Sequence, residues 1–131
     1  MIEAQGGDKR VVKQPGLLPS SEFSSKFYAN ESGYINKIET KRLGQHLVGL
    51  GVGRKKIGDP IDPAVGAVLY KRLGNYVEKG EAIGEIMAQN EKIARIFSSE
   101  VSEFYNVSST KPIFSPLILA RIDADGIHKF D

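Results

Sequence analysis

The stretch GVGRKKIGDP, Gly51 to Pro60, opens with two glycines beside three cations, the residue types that grip phosphate. Such a cradle uses glycine so that backbone N–H groups can approach the anion, and a following helix N-terminus for partial positive charge. Gly53 and Gly58 have the separation of a Walker loop, but Asp59 and Pro60 stand where that loop needs Lys and then Ser or Thr. The dinucleotide pattern fails as well, because its third glycine would fall at Lys56 and the residues before the loop read as helix rather than strand. The stretch is expected to be a structural turn.

Other candidates for chemistry are sparse. His46 and His128 are the only histidines and there is no cysteine, which leaves no disulfide, thiolate zinc site or cysteine nucleophile. His46 is expected on a helix surface, and no metal or cofactor site is expected. Asp59 and Asp62 could pair as general acid and base, yet beside Pro60 and Pro63 they suit turn capping better. Ser98, Ser99, Ser102, Ser108 and Ser109 lack elbow glycines and a nearby base. Tyr28, Tyr34, Tyr70 and Tyr76 alternate with basic residues and could stack on bases, but strand tyrosines are commoner.

The elements around these residues follow from pattern. MIEAQ is a helix of barely a turn stopped by GGD, and KRVVKQPGLLPSS reads as linker. KFYANESGYINKI, Lys26 to Ile38, gives two strand pieces around Asn30–Gly33. Thr40 is placed as the cap of a helix over Lys41 to Leu50 that ends at Gly51 or Gly53. Its Leu43, Leu47, Val48 and Leu50 share a face. AVLY reads as a buried strand. Gly74, Gly80 and Gly84 mark tight corners between short strands. Asn90 caps the longest helix, running to about Tyr105, and PIFSPLILARI is a last strand with a frayed tail beyond Ile122. The class is α+β: a small curved antiparallel or mixed sheet or half-barrel, with one short and one longer helix.

The 131 residues suit one domain with a core, 40% apolar and 26% charged, and carry a formal charge of only +2. Neither nucleic acid nor a membrane is expected as partner, and a cytoplasmic location is the default. Charge is uneven. Lys37, Lys41, Arg42, Arg54, Lys55 and Lys56 against Glu39 give +5, while the segment from Glu78 to Glu103 carries −3. That asymmetry fits two solvated faces or a docking surface, with the Lys41–Leu50 helix and the Arg54–Lys56 turn as docking candidates.

One resemblance goes further. Gly51, Gly53, Arg54, Ile61, Asp62, Pro63, Ala64, Val65, Gly66, Lys71, Gly74, Val77, Lys79, Gly80 and Glu81 resemble the pattern of the C-terminal domain of the pyrimidine-nucleoside and thymidine phosphorylases. SGYINKI and LGQHLVGLG extend the likeness, and MIEAQGGDKRVV resembles the end of the helix and linker that precede that domain. The resemblance implies residues 1–25 as linker and helix remnant, 26–122 as the domain and 123–131 as tail. It implies an enzyme class that cleaves pyrimidine nucleosides with phosphate to base and pentose 1-phosphate, as homodimers in nucleoside salvage. It places no phosphate-loop or pyrimidine-clamp residue on this chain, so the expected partners are catalytic domains of a parent enzyme, with no catalytic, cofactor or metal residue here. VEKGEAIGEI also resembles the hairpin of lipoyl and biotinyl carriers, which implies a shared α/β-hammerhead, barrel-sandwich-like fold, but no lysine has the Asp-Lys-Ala or Met-Lys-Met setting a carrier needs. A small RNA-binding module built on Arg54, Lys55 and Lys56 is a third reading.

Overall fold

The computed structural model describes residues 1–54, 56–114 and 118–130. Its elements are β1 (Phe23–Tyr28), β2 (Gly33–Ile38), α1 (Thr40–Leu50), β3 (Gly66–Leu69), β4 (Tyr76–Val77), β5 (Ala82–Ala88), α2 (Glu91–Ser102), β6 (Tyr105–Ser108), β7 (Ala120–Asp123) and β8 (Gly126–Lys129). They form one sheet in the order β1–β5–β3, a second in the order β4–β2–β6, and the hairpin β7–β8. Every described pairing is antiparallel. The class is thus α+β with two helices and small sheets, none closed into a barrel.

Alternation builds the core. Phe27 on β1, Ile35 on β2, Val77 on β4, Ile83 and Ile86 on β5 and Val101 on α2 are all but sealed from solvent. Both three-stranded sheets therefore contribute to one apolar cluster, and α2 lies against β1 and β5. Removing this surface from water is the main stabilising term. Gly84, read from sequence as a corner, instead lies inside β5 opposite Phe27. A Cβ there would enter the Phe27 ring and stand 2.7 Å from the Val68 carbonyl oxygen. This glycine lets the ring lie flat on the backbone.

Both helices form where the pattern places them, with altered ends. Asn90 Oδ1 accepts the Ile93 N–H at 2.9 Å and caps α2. The helix stops at Ser102, because the chain must turn to pair β6 with β2; the sequence pattern ran it on to Tyr105. Ala94, Ser98 and Val101 are its buried residues, whereas Ile96 is exposed. In α1, Thr40 is the first helical residue and not the cap; Glu39 holds that place without a side-chain capping bond. Gly51 ends the helix at φ 113°, its N–H reaching the Leu47 and Val48 carbonyls. Leu43 and Leu50 are buried and Leu47 packs on the core, so the apolar face expected to dock elsewhere is turned onto its own domain.

AVLY also departs from expectation. Among the described residues β3 is an edge strand bonded to β5 alone, and only its Ala67 packs against the core. Val68, Leu69 and Tyr70 are 45%, 38% and 44% exposed. An apolar run does not reveal whether a neighbour lies on one side or two. Beyond Ile122 the chain forms the exposed hairpin β7–β8 in place of a frayed tail, with Ile122 opposite Ile127. Pro112 precedes β7, and Pro116 lies outside the described residues.

Candidate functional site

The glycine and cation turn is closed on itself. Lys56 donates its N–H to Asp59 Oδ2 at 2.9 Å, and Arg54 donates Nε–H to the Asp59 carbonyl at 3.2 Å. Asp62 Oδ1 accepts the Ala64 N–H at 3.0 Å, and the Asp62 N–H reaches the Gly51 carbonyl at 3.1 Å. Both aspartates are therefore turn-forming acceptors, as their prolines suggested, and a carboxylate occupies the amide that a phosphate oxygen would need. Lys55 lies outside the described residues. The +5 segment does not form one patch either: Lys37, Lys41 and Arg42 flank the start of α1, while Arg54 and Lys56 follow its end, about 16 Å away along the axis. Glu39 partly neutralises the first group, 3.3 Å from Arg42 and 3.9 Å from Lys37.

His46 is half-buried on α1 rather than fully on its surface. Its ring is wedged between α1 and α2, 4.3 Å from the Phe97 ring and 5.4 Å from Phe104 between centroids. Glu100 Oε2 lies 3.1 Å from its Nε2 but without hydrogen-bond alignment. Arg42 stacks over Phe104 at 4.4 Å. Arg42, His46, Glu100 and Phe104, with Gln45 and Glu103, line a cleft of about 480 Å³. Among the described residues no group of three or more His, Cys, Asp or Glu could hold a metal.

The serines are tied to backbone. Ser98 Oγ donates to the Arg95 carbonyl and shares a 2.9 Å bond with Ser25, while Ser99 and Ser102 bond back to Ile96 and Ser99 carbonyls. Ser108 pairs with Thr110 at 3.1 Å. None of these contacts is to a base that could activate a nucleophile. Of the tyrosines, Tyr34 and Tyr76 pair edge-on at 5.2 Å. Tyr70 Oη donates to Glu85 Oε2 at 2.6 Å on the solvent face of the first sheet. Hydrogen bonds from Ser24 and Tyr70, aided by the charge of Lys26, hold the Glu85 carboxyl below its ordinary range. The same bond raises the Tyr70 phenol. Lys79, at the β4–β5 turn, donates its N–H to Ser32 Oγ and has Glu78 and Gly80 as neighbours.

Sequence reasoning missed Tyr105. It opens β6, packs 5.8 Å from Phe27, and its hydroxyl is buried without a partner. Burial pushes the phenol up to about 12. The signal was available in YNVS, a strand-like run directly after the Phe104 of the helix pattern.

Fold and side chains together define a small α+β module whose polar groups serve turns, caps and sheet faces. Its residues 34–108, more than half of the chain, match the family described as the pyrimidine nucleoside phosphorylase C-terminal domain, and the chain belongs to that family. It is 34% identical over 118 residues to the pyrimidine-nucleoside phosphorylase of Geobacillus stearothermophilus, covering 90% of this chain and 27% of that protein. The pyrimidine-nucleoside phosphorylase of Staphylococcus epidermidis is 42% identical over 92 residues, 70% of this chain and 21% of its own length. That of Staphylococcus aureus strain USA300 is 31% identical over 121 residues, 92% and 27% respectively. The chain thus spans about a quarter of the length of the curated relatives it matches. No helix among the described residues is long and apolar enough to cross a membrane.

Proposed function

We propose that this chain is the accessory C-terminal domain of a pyrimidine-nucleoside phosphorylase, and that substrate contacts lie in the part of such an enzyme that its relatives carry outside the matched region. The parent reaction breaks the bond between pentose C1′ and the pyrimidine nitrogen. Orthophosphate oxygen bonds to C1′, and the base leaves with a proton, giving pentose 1-phosphate for nucleoside salvage without a further cofactor. The parent is proposed as a cytoplasmic homodimer. The functional unit is taken as residues 26–122, with β1 reaching back to Phe23, between a linker and the β7–β8 hairpin, whose first strand begins at Ala120.

The observation that carries this reading is the asymmetry of the match: 90% of this chain against 27% of the Geobacillus protein. The closed turn supports it, since Asp59 holds the Lys56 amide that a phosphate grip would use. The role left to the module is to pack beside the catalytic part and fix its geometry. The test is complementation. The isolated chain should release no uracil or thymine from nucleosides in phosphate buffer. Fused in place of the matched 118 residues of the Geobacillus enzyme, it should support phosphorolysis that the truncated enzyme lacks. Turnover by the purified chain alone, abolished by Arg54→Ala, would overturn the proposal.

A further inference from the structure

Two aspartates share the β7–β8 turn, and the fold treats them differently. Asp123 Oδ1 accepts the Asp125 N–H at 3.0 Å, and the same carboxylate holds Arg121 Nε at 2.7 Å and lies 3.2 Å from His128 Nε2. The Asp125 carboxylate has no hydrogen-bond or ion-pair partner among the described residues. The next residue is Gly126, at φ 127°. Every residue of β7 and β8 is exposed, and a two-stranded hairpin is only marginally stable by itself.

A free carboxyl followed by glycine occurs once in the chain. Asp8 and Asp123 precede Lys9 and Ala124, whose Cβ atoms crowd the amide nitrogen, and each is held by an arginine. Asp59 and Asp62 precede prolines, which have no N–H to give up. No asparagine precedes glycine. Gly126 carries no Cβ, so its nitrogen comes within bonding reach of the Asp125 carboxyl carbon whenever the turn opens.

We propose that Asp125 is a site of spontaneous backbone modification, at which the main-chain link to Gly126 passes to the Asp125 side-chain carboxyl. The Gly126 nitrogen bonds to Asp125 Cγ, and the amide proton leaves with the carboxyl hydroxyl as water, closing a five-membered imide. Water then adds to the Asp125 main-chain carbonyl carbon, whose bond to the Gly126 nitrogen breaks as that nitrogen regains a proton. Addition at Cγ instead restores aspartate. The product of the first course is isoaspartate, of unchanged mass, with one more carbon in the main chain at the turn. That insertion puts Asp123 out of step with Gly126, and Ile122 with Ile127, so modification opens the hairpin. Asp123 sets the rate: its carboxylate draws the N–H groups of both Asp125 and Gly126, and Gly126 supplies the attacking nitrogen. The inference uses nothing of the phosphorylase reading, so either can fail without the other.

Peptide mapping of the folded 131-residue chain, incubated at neutral pH in ¹⁸O-enriched water, tests it. The peptide carrying Asp125 should split into two chromatographic species of one sequence, the new one labelled with ¹⁸O, and electron-transfer fragmentation should place the isoaspartyl link at residue 125. Asp125→Glu should abolish the new species, because its imide would need a six-membered ring, and the hairpin loses no contact by this change. Asp123→Ala should form it several-fold faster than the wild type. The proposal is overturned if the chain stays unmodified at residue 125 while a free peptide of residues 121–129 isomerises alongside it. Label shared equally with Asp8, a new species that survives Asp125→Glu, or an Asp123→Ala rate no higher than the wild type's would each overturn it as well.

Discussion

The turn from Gly51 to Asp62 and the strand from Gly66 to Leu69 are neighbours in sequence and opposites in chemistry. The turn has the glycines, cations and carboxylates that suggest a ligand, yet Asp59 takes the Lys56 amide, Asp62 the Ala64 amide just beyond the turn, and Gly51 ends the helix. β3 has no polar side chain, yet it leaves Ala67 and Leu69 with outward backbone groups and Val68 in water. Residue types that could do chemistry are thus satisfied inside the fold, and a chemically bland run is left open. What counts for function is which hydrogen-bonding groups remain unsatisfied after folding.

The largest expected effect breaks the attachment of β3. Gly84→Val places side-chain atoms in the Phe27 ring and against the Val68 carbonyl, so unfolding in urea should show a loss of about 2 to 3 kcal/mol. The turn is tested more gently. Gly51→Ala forces a side chain into φ 113°, with its Cβ 3.1 Å from Gln89 Nε2, and should cost about 1 to 2 kcal/mol in the same assay. If Gly84→Val proves the milder of the two, the weight given to the β3 side of the comparison is wrong.

These two glycines also show what was legible in the sequence. Gly51 was readable as a terminator because the signal is local: an apolar helical stripe, then glycine. Asn90 was readable for the same reason. Gly84 was misread as a corner, since nothing nearby announces that Phe27, 57 positions earlier, lies across it. The edge position of β3, the burial of His46 between Phe97 and Phe104, and the start of β6 at Tyr105 likewise depend on partners distant in the chain. Thr40 failed as a cap although its residue type favours that role, because the chain enters the helix one residue earlier, at Glu39. Family membership was carried by the central run, by its glycines together with Arg54, the Ile61–Val65 segment and the Val77 to Glu81 hairpin. The expectation that the turn is structural rested on the missing Lys-Ser/Thr pair.

The smallest effect is a pH dependence beside β3. Glu85 is lowered in the folded chain by the Ser24 and Tyr70 hydrogen bonds and by Lys26. A depressed carboxyl contributes stability above its unfolded pKa and loses it as pH falls through the folded value. Glu85→Gln should therefore flatten the acid limb of the stability profile and leave stability above neutrality nearly flat with pH up to the range where Tyr70 ionises. An acid limb as steep as in the wild type would show that the Tyr70–Glu85 contact adds nothing to the sheet face.

The account rests most heavily on the turn being closed to phosphate, and a titration of the ¹⁵N-labelled chain with orthophosphate, followed by ¹H–¹⁵N correlation spectra at constant pH and ionic strength, tests this most directly. The amides of Gly53, Arg54, Lys56 and Gly58 should show only small, linear, unsaturating shifts, no larger than those of the remote lysines Lys9 and Lys129. Saturable shifts confined to the turn, reversed by Arg54→Ala, would contradict the account and place a phosphate site on this domain.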